Sequence, residues 1–505
     1  MSQTNLPPAP LSAARWLRPA LVLGLLVCCA LYGYLLSRDL SLLLVLGAPL
    51  VALVALLGVR QPALLTVALL GITWGYISEV LVKFYGVPSV AKTLVVLLVA
   101  LVFRQRFLVP GGQLRTHPLL WWMLGYLLVV AAGLWYAVDP DRTWLMVIDF
   151  AKELLLLFVV LNTLTSERWL ERGVWVMLLV GGVLGALTLY QEATHSYSNN
   201  LGGFARSSVG AIAEGVSNRA RAGGPTSEPN AFGQQMLVLV PIGLWAALHG
   251  RTLWGRAVAG LATFACLGGA ALSFSRGTYV GFIVLTGLLA LHMRLNWRYL
   301  LALPLLLYAI SLAPPEVRAR FSTLTTMLPD GQRLAGERDA SLDRREIEML
   351  MAFYMFADHP IVGVGADNYR ARFSEYVTAF GSDVDTYERN AHSYYLEIAA
   401  EHGAIGLIAV GGIMLFTVGA FRRARRQFAA IGDQRMAELA SALAIGFASY
   451  AVTAIFLHGD YSRFLWLQVD LAAACALIAA HAYQRAMARD DLTAAAGAAP
   501  ATMPA

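Results

Sequence analysis

With 505 residues, 58% of them hydrophobic and only 14% charged, the chain carries more apolar surface than a soluble globular protein can bury. A mean hydropathy of +0.61 belongs instead to a bundle of membrane-spanning helices, since a bilayer offers backbone groups no water. The net charge of +6 comes from arginines gathered between the apolar stretches, which is a topology signal and not a nucleic-acid footprint.

Residues 1–18 are Pro-rich with Arg15 and Arg18, and residues 19–36 are apolar. That apolar part is long and runs straight into a second, so it reads as a retained first span and not a secretory signal. Further stretches near the roughly 20 residues a span requires fall at 40–58, 62–82, 88–103, 118–137, 147–164, 173–190, 230–248, 256–274, 277–293, 298–313, 393–420, 437–457 and 463–483. The expected fold is an all-α polytopic membrane protein with about 12–14 transmembrane helices. Cys28, Cys29, Cys266 and Cys475 all lie inside apolar stretches, without zinc-site spacing, and read as small buried hydrophobes.

One alternating set of connections carries Arg60, Arg104, Arg106, Arg115, Arg168, Arg172, Arg251, Arg256, Arg294 and Arg298. Arg422, Arg423, Arg425, Arg426, Arg435, Arg485 and Arg489 continue it, whereas the opposite set holds few cations beyond Arg38, Lys83 and Arg142. The positive-inside rule makes the first set cytoplasmic, puts both termini inside and leaves two long loops, 191–229 and 314–391, outside. The expected organisation is N-terminal helices over 1–190 and a core over 191–420 that holds both loops. C-terminal helices over 421–490 and a low-complexity Ala/Pro tail over 491–505 follow.

Loops of this size are often functional. In the larger, Leu342, Ile347, Leu350, Met351 and Tyr354 recur at helical spacing and predict a helix through Ser341–Asp358. Pro360-Ile361-Val362-Gly363-Val364-Gly365 then breaks it. In the smaller, Arg219 and Arg221 precede Gly223-Gly224-Pro225 and Glu228-Pro229-Asn230. Two cations above a helix start suit a phosphate. On this segment alone, an ordinary basic loop with Glu228 or Asn230 as cap is the favoured reading.

Arg276 sits between two spans with almost no loop, held at the outer membrane edge. It either snorkels or serves a ligand. His392 opens the span over 393–420, and Gly403, eleven residues on, returns to nearly the same face of a continuous helix. A small-residue stripe of Ala399, Gly403 and Gly406 is expected to admit a neighbouring helix and so fix His392. Other polar groups read as structural: Glu79 with Lys83 as an i,i+4 pair, and His458, Asp460 and Arg463 as a solvated turn. Asp149, Lys152 and Glu153 receive no role. Asp383-Val384-Asp385 is the one weak hint of a metal.

Taken in order, these features resemble the O-antigen ligase and polysaccharide polymerase superfamily of bacterial membrane glycosyltransferases. The motifs are Arg219-Ala220-Arg221-Ala222-Gly223-Gly224 with Glu228-Pro229-Asn230, Ser275-Arg276-Gly277, Pro360–Gly365 with Asp367-Asn368, and His392-Ser393-Tyr394-Tyr395-Leu396 leading to Gly403. They span roughly residues 200–415, and the front half matches only as hydropathy. The resemblance implies a GT-C-like multi-span enzyme of the bacterial inner membrane with a periplasmic site. It would take a glycan from a polyprenyl (undecaprenyl) diphosphate carrier without metal, nucleotide sugar or other cofactor.

The acceptor implied is lipid A–core oligosaccharide for a ligase. It is another carrier-linked glycan for a polymerase, or a protein for the related O-glycosylation ligases. The residue chemistry agrees: a leaving diphosphate needs cations, supplied by Arg219, Arg221 and Arg276. An acceptor hydroxyl needs a base titrating near neutral pH, and His392 is the one available. Glu228, Asn230, Asp367, Asn368 and Tyr395 are assisting candidates from the same motifs. Two arginines crowd the first motif, which leaves open which one contacts diphosphate. A transporter of lipid-linked sugars is the competing class, disfavoured because the polar groups cluster at one face and not at the midplane.

Overall fold

The computed structural model describes residues 58, 60–108, 112–210, 219–293, 340–379, 389–459 and 462–497. The expected spans at 19–36 and 298–313, nearly all of 40–58, the Asp383–Asp385 pair, Asp460 and both termini lie outside them. The chain divides into two compact units, Met1–Leu65 and Thr66–Ala505, and the second carries the loops and the site.

Among the described residues the architecture is helical apart from one short hairpin, in keeping with an all-α polytopic membrane protein. Helices run as α1 (Pro62–Trp74), α2 (Ile77–Tyr85), α3 (Val90–Leu108), α4 (Pro118–Ala132), α5 (Pro140–Thr163) and α6 (Glu167–Thr194). Next come α7 (Pro229–His249), α8 (Leu253–Leu272), α9 (Arg276–His292), α10 (Ala340–Asp358) and α11 (Asn368–Ala379). The last three are α12 (Tyr394–Ala430), α13 (Gln434–Thr453) and α14 (Arg463–Gly497). Among the described residues, seven helices are long and apolar enough to cross a membrane, or eight if the bent pair α1–α2 is one span. The stretch 62–82, read as a single span, is thus two helices meeting at 65°.

Three helix starts repeat one device, a polar N-cap followed by proline at the first helical position, where the missing N–H costs nothing. They are His117-Pro118 of α4, Asp139-Pro140 of α5 and Glu228-Pro229 of α7. Thr252, Ser275 and Asp433 cap α8, α9 and α13 through their side chains. Close packing follows from small residues. A Cβ on Gly185 of α6 would lie 2.2 Å from the Ala265 carbonyl oxygen of α8, so only glycine lets the two helices meet. Among the described helices long enough to span, α7 and α14 are the most enclosed.

The loop between α6 and α7 is not structureless. It forms a two-stranded antiparallel hairpin, β1 (Arg206–Gly210) with β2 (Arg219–Gly224), whose register sets Ser208 opposite Arg221. The larger loop carries the predicted helix as α10 and adds α11. Met351, Met355, Val364, Tyr369, Phe373, Val377, Ala391 and Ala400 form a separate small core that ties both helices to the start of α12.

Gly403 does not continue the helical face of His392. It breaks α12 with φ 61° and ψ −158°, a backbone state essentially reserved for glycine. The neighbour it admits is the loop segment Pro360–Gly365 and not another helix, for its Cβ would lie 2.4 Å from the Ile361 carbonyl. Backbone groups freed by the break are repaired by that segment. Val364 N and Gly365 N donate to the carbonyls of Ala400 and Glu401, while Ala404 N and Ile405 N donate to those of Pro360 and Ile361. Gly406 faces its own turn, against the His402 side chain.

Other polar groups prove to be struts. Glu79 pairs with Arg463 of α14, across the bundle, and Arg463 Nε also reaches Glu153 Oε1 at 3.3 Å. Lys152 pairs with Asp149 on α5 at 2.5 Å.

Candidate functional site

The site is built where α7, α9, α10, α12 and α13 bring their loop-side ends together. Arg221 leaves β2 and is held by its own neighbours. Its Nε donates to the Ser273 carbonyl at 3.1 Å and its Nη2 to Asn230 Oδ1 at 3.3 Å. Asn230 Nδ2 in turn donates to Glu228 Oε1 at 2.6 Å, and the same oxygen accepts from Asn230 N as the cap of α7. Both readings of this segment therefore coexist: Glu228 is the cap, and the guanidinium is aimed by that cap. Burial pulls the Arg221 guanidinium below its ordinary value, while Glu228 pulls it up.

Arg276, Arg345 of α10 and Tyr279 lie near enough to act on the same charge. Arg276 is the first residue of α9 and only 6% exposed. It does not snorkel into water. Arg221, Arg276 and Arg345 thus gather guanidiniums at this end of the bundle, and guanidiniums are the side chains best suited to an anion. Arg219 opens β2, two residues before Arg221, and its side chain lies outside the described residues.

His392 sits one residue before Ser393, the N-cap of α12, with φ 48°. A left-handed conformation costs a side-chain-bearing residue about 1–2 kcal/mol, and such strain gathers at functional sites. Its Nδ1 donates to the Asn390 carbonyl at 3.1 Å and lies 2.8 Å from Glu348 Oε2. A carbonyl can only accept, so Nδ1 is the protonated nitrogen on that side. Glu348 comes from α10, is nearly buried, and receives Arg389 Nη1 on its other oxygen at 3.3 Å. The His392 ring stands edge-on to His458, centroids 5.7 Å apart.

Helix α10 joins the two halves. Arg345 and Glu348 lie three residues apart on one face; the first is near enough for its charge to act on Arg221, and the second lies 2.8 Å from His392. Neither was singled out from the sequence, although the helical spacing through Ser341–Asp358 places them together beside the apolar stripe. The other candidates are placed elsewhere. Asn368 is fully buried and bonds to Asp139 N (2.8 Å), Thr143 Oγ1 (3.0 Å) and the Ala366 carbonyl (2.9 Å), pinning α11 to the start of α5. Asp367 faces Arg370 at 3.5 Å. Tyr395 donates to the Ala451 carbonyl at 2.7 Å and so locks α12 to α13.

Fold and site together define an all-α polytopic membrane protein with a cationic, histidine-bearing site at one end of its bundle. Residues 261–411 match the family model described as O-antigen ligase, so this stretch of the chain is similar to that family. The matched stretch contains Arg276, Arg345, Glu348 and His392, while Arg219 and Arg221 precede it. That similarity supports a glycosyltransferase-like ligase or polymerase function. No curated protein matches the chain.

Proposed function

We propose that the protein transfers a glycan from an undecaprenyl diphosphate carrier to an acceptor hydroxyl, at the periplasmic face of the bacterial inner membrane, as an O-antigen ligase acting on lipid A–core oligosaccharide. The observation that carries this reading is the single helix α10, which holds Arg345 at the arginine cluster and Glu348 at His392.

In this reading Nε2 of His392 takes the proton of the acceptor hydroxyl as its oxygen attacks the anomeric carbon. The bond from that carbon to the carrier's diphosphate oxygen breaks, and the diphosphate leaves with the electron pair. Arg221, Arg276 and Arg345, with Arg219 on the same strand, stabilise the charge that develops there. Glu348 holds the ring and faces the imidazolium formed when the proton arrives. The arginines carry the charge stabilisation, so the step needs no divalent cation.

The two halves of the site are separable by kinetics. A general base contributes typically about 10²–10⁴ in rate, so His392→Ala is expected to keep donor affinity and lose most turnover. Arg276→Lys keeps the charge but loses the planar fork that holds phosphate oxygens in pairs, and is expected to weaken donor binding. Weak donor binding with unchanged turnover at saturation in His392→Ala would make His392 a diphosphate ligand instead of the base.

A further inference from the structure

Helix α12 starts beside His392 and, at its far end, carries Arg422, Arg423, Arg425 and Arg426 in little more than one turn. We propose that these arginines bind the phosphodiester headgroups of anionic phospholipid in the leaflet around that end of the bundle. Such a site is independent of the reaction assigned to the other end.

Past the break at Gly403, residues 404–421 hold no charged side chain. A helix of that length rises about 27 Å, close to the roughly 30 Å hydrocarbon core of a bilayer. Arg422 therefore stands where headgroups begin. At about 100° per residue, Ile408, Arg422 and Arg426 all fall within about 20° of Leu415. Ile408 and Leu415 are 68% and 75% exposed, as residues facing lipid tails are. The two arginines continue that stripe into the headgroup layer. Arg423 and Arg425 flank it at about 80° on either side, and all four are exposed. On the opposite face Phe421, Ala424 and Phe428 are buried, and the Phe421 ring lies 6.5 Å from that of Phe447 on α13. The arginine-bearing turn is thus docked and cannot rotate away from the lipid. Helix α4 marks the same level. Trp122 packs on Phe416, centroids 5.2 Å apart, while Trp121 is 62% exposed, and exposed tryptophan belongs at the membrane interface.

The protein's own groups do not account for the cluster. Other arginines at this end are taken up internally: Arg435 and Arg251 pair with Glu171, and Arg485 with Glu167. Among the described residues, none of Arg422, Arg423, Arg425 and Arg426 has a carboxylate partner. Arg423 does act on His117, which burial and then that charge hold well below its ordinary pKa, so His117 is neutral and balances nothing. The helix dipole favours cations in the last turn, and the last turn of α12 has none. An orientation signal needs only positive charge somewhere in a short connection. Guanidinium forks set on the lipid-facing stripe are what phosphate oxygens require, and four or more bases next to a span attract anionic lipid.

The test uses the full chain in neutral detergent and reads lipid adducts by native mass spectrometry. The probes are dioleoyl phosphatidylglycerol and dioleoyl phosphatidylcholine, with inorganic phosphate as competitor. Arg422→Gln/Arg426→Gln removes the stripe, and Arg104→Gln/Arg106→Gln removes the same charge from the exposed end of α3. We expect wild type to prefer phosphatidylglycerol and to keep it in excess inorganic phosphate. An arginine at the headgroups is worth about fivefold, so the stripe variant should bind phosphatidylglycerol roughly 20–30-fold more weakly. Its phosphatidylcholine binding and melting temperature should match wild type, and the α3 variant should lose far less. If the stripe variant melts early, Arg422→Lys/Arg426→Lys keeps the charge without the fork and should still bind phosphatidylglycerol several-fold more weakly. Equal affinity for the two lipids, or equal losses in the stripe and α3 variants, would overturn the site and leave the arginines as a topology signal. Displacement of phosphatidylglycerol by inorganic phosphate would overturn it too, assigning the cluster to a free anion.

Discussion

At position 348 a carboxylate is buried, and burying one is costly unless something gains from its charge. Arg389 takes one oxygen and the His392 ring faces the other. Glutamine there keeps the size and removes the charge. Glu348→Gln is expected to lower turnover by about 10–100-fold, a part of what a general base contributes. Donor affinity and melting temperature should stay near wild type, and steady-state kinetics with a thermal melt will read both. A fall in melting temperature with unchanged turnover would make Glu348 a strut between α10 and α12. Arg345, one turn back on the same helix, is near enough to Arg221 for its charge to act there.

Gly403 does the same work for an element. The break in α12 exists so that Pro360–Gly365 can pair with the opened turn, and that pairing holds the start of α12, where His392 stands, against α10. An alanine Cβ would collide with the Ile361 backbone at 2.4 Å and sit in a conformation costing about 1–3 kcal/mol. Gly403→Ala should therefore lower the melting temperature and open the 360–365 segment to limited proteolysis. Gly411→Ala on the same helix meets nothing within 4 Å and should be neutral or slightly stabilising. Equal behaviour of the two variants would show that the clamp does not hold the loop. Sequence alone shows a glycine at helical spacing from His392. It does not show that a distant proline–glycine segment takes the freed carbonyls, since that depends on two chain regions meeting.

For the whole molecule, the bundle was legible because a bilayer admits few solutions: long apolar stretches become helices, and polar groups gather in the connections. The helix of the larger loop was legible from Leu342 to Tyr354 by spacing alone. The roles of Arg345 and Glu348 were not, because hydrophobic spacing says which face packs and not what the polar flank meets. Arg463, read as part of a solvated turn, reaches Glu79 and Glu153 across the bundle for the same reason. The central claim is transfer between two substrates by one site, and reconstitution tests it most directly. Full-length protein is placed in proteoliposomes with undecaprenyl diphosphate-linked glycan in one leaflet, lipid A–core acceptor present and EDTA throughout. The account predicts glycan on the acceptor together with released undecaprenyl diphosphate, and loss of both in His392→Ala. Donor exchanged between leaflets with no glycan on the acceptor would contradict it.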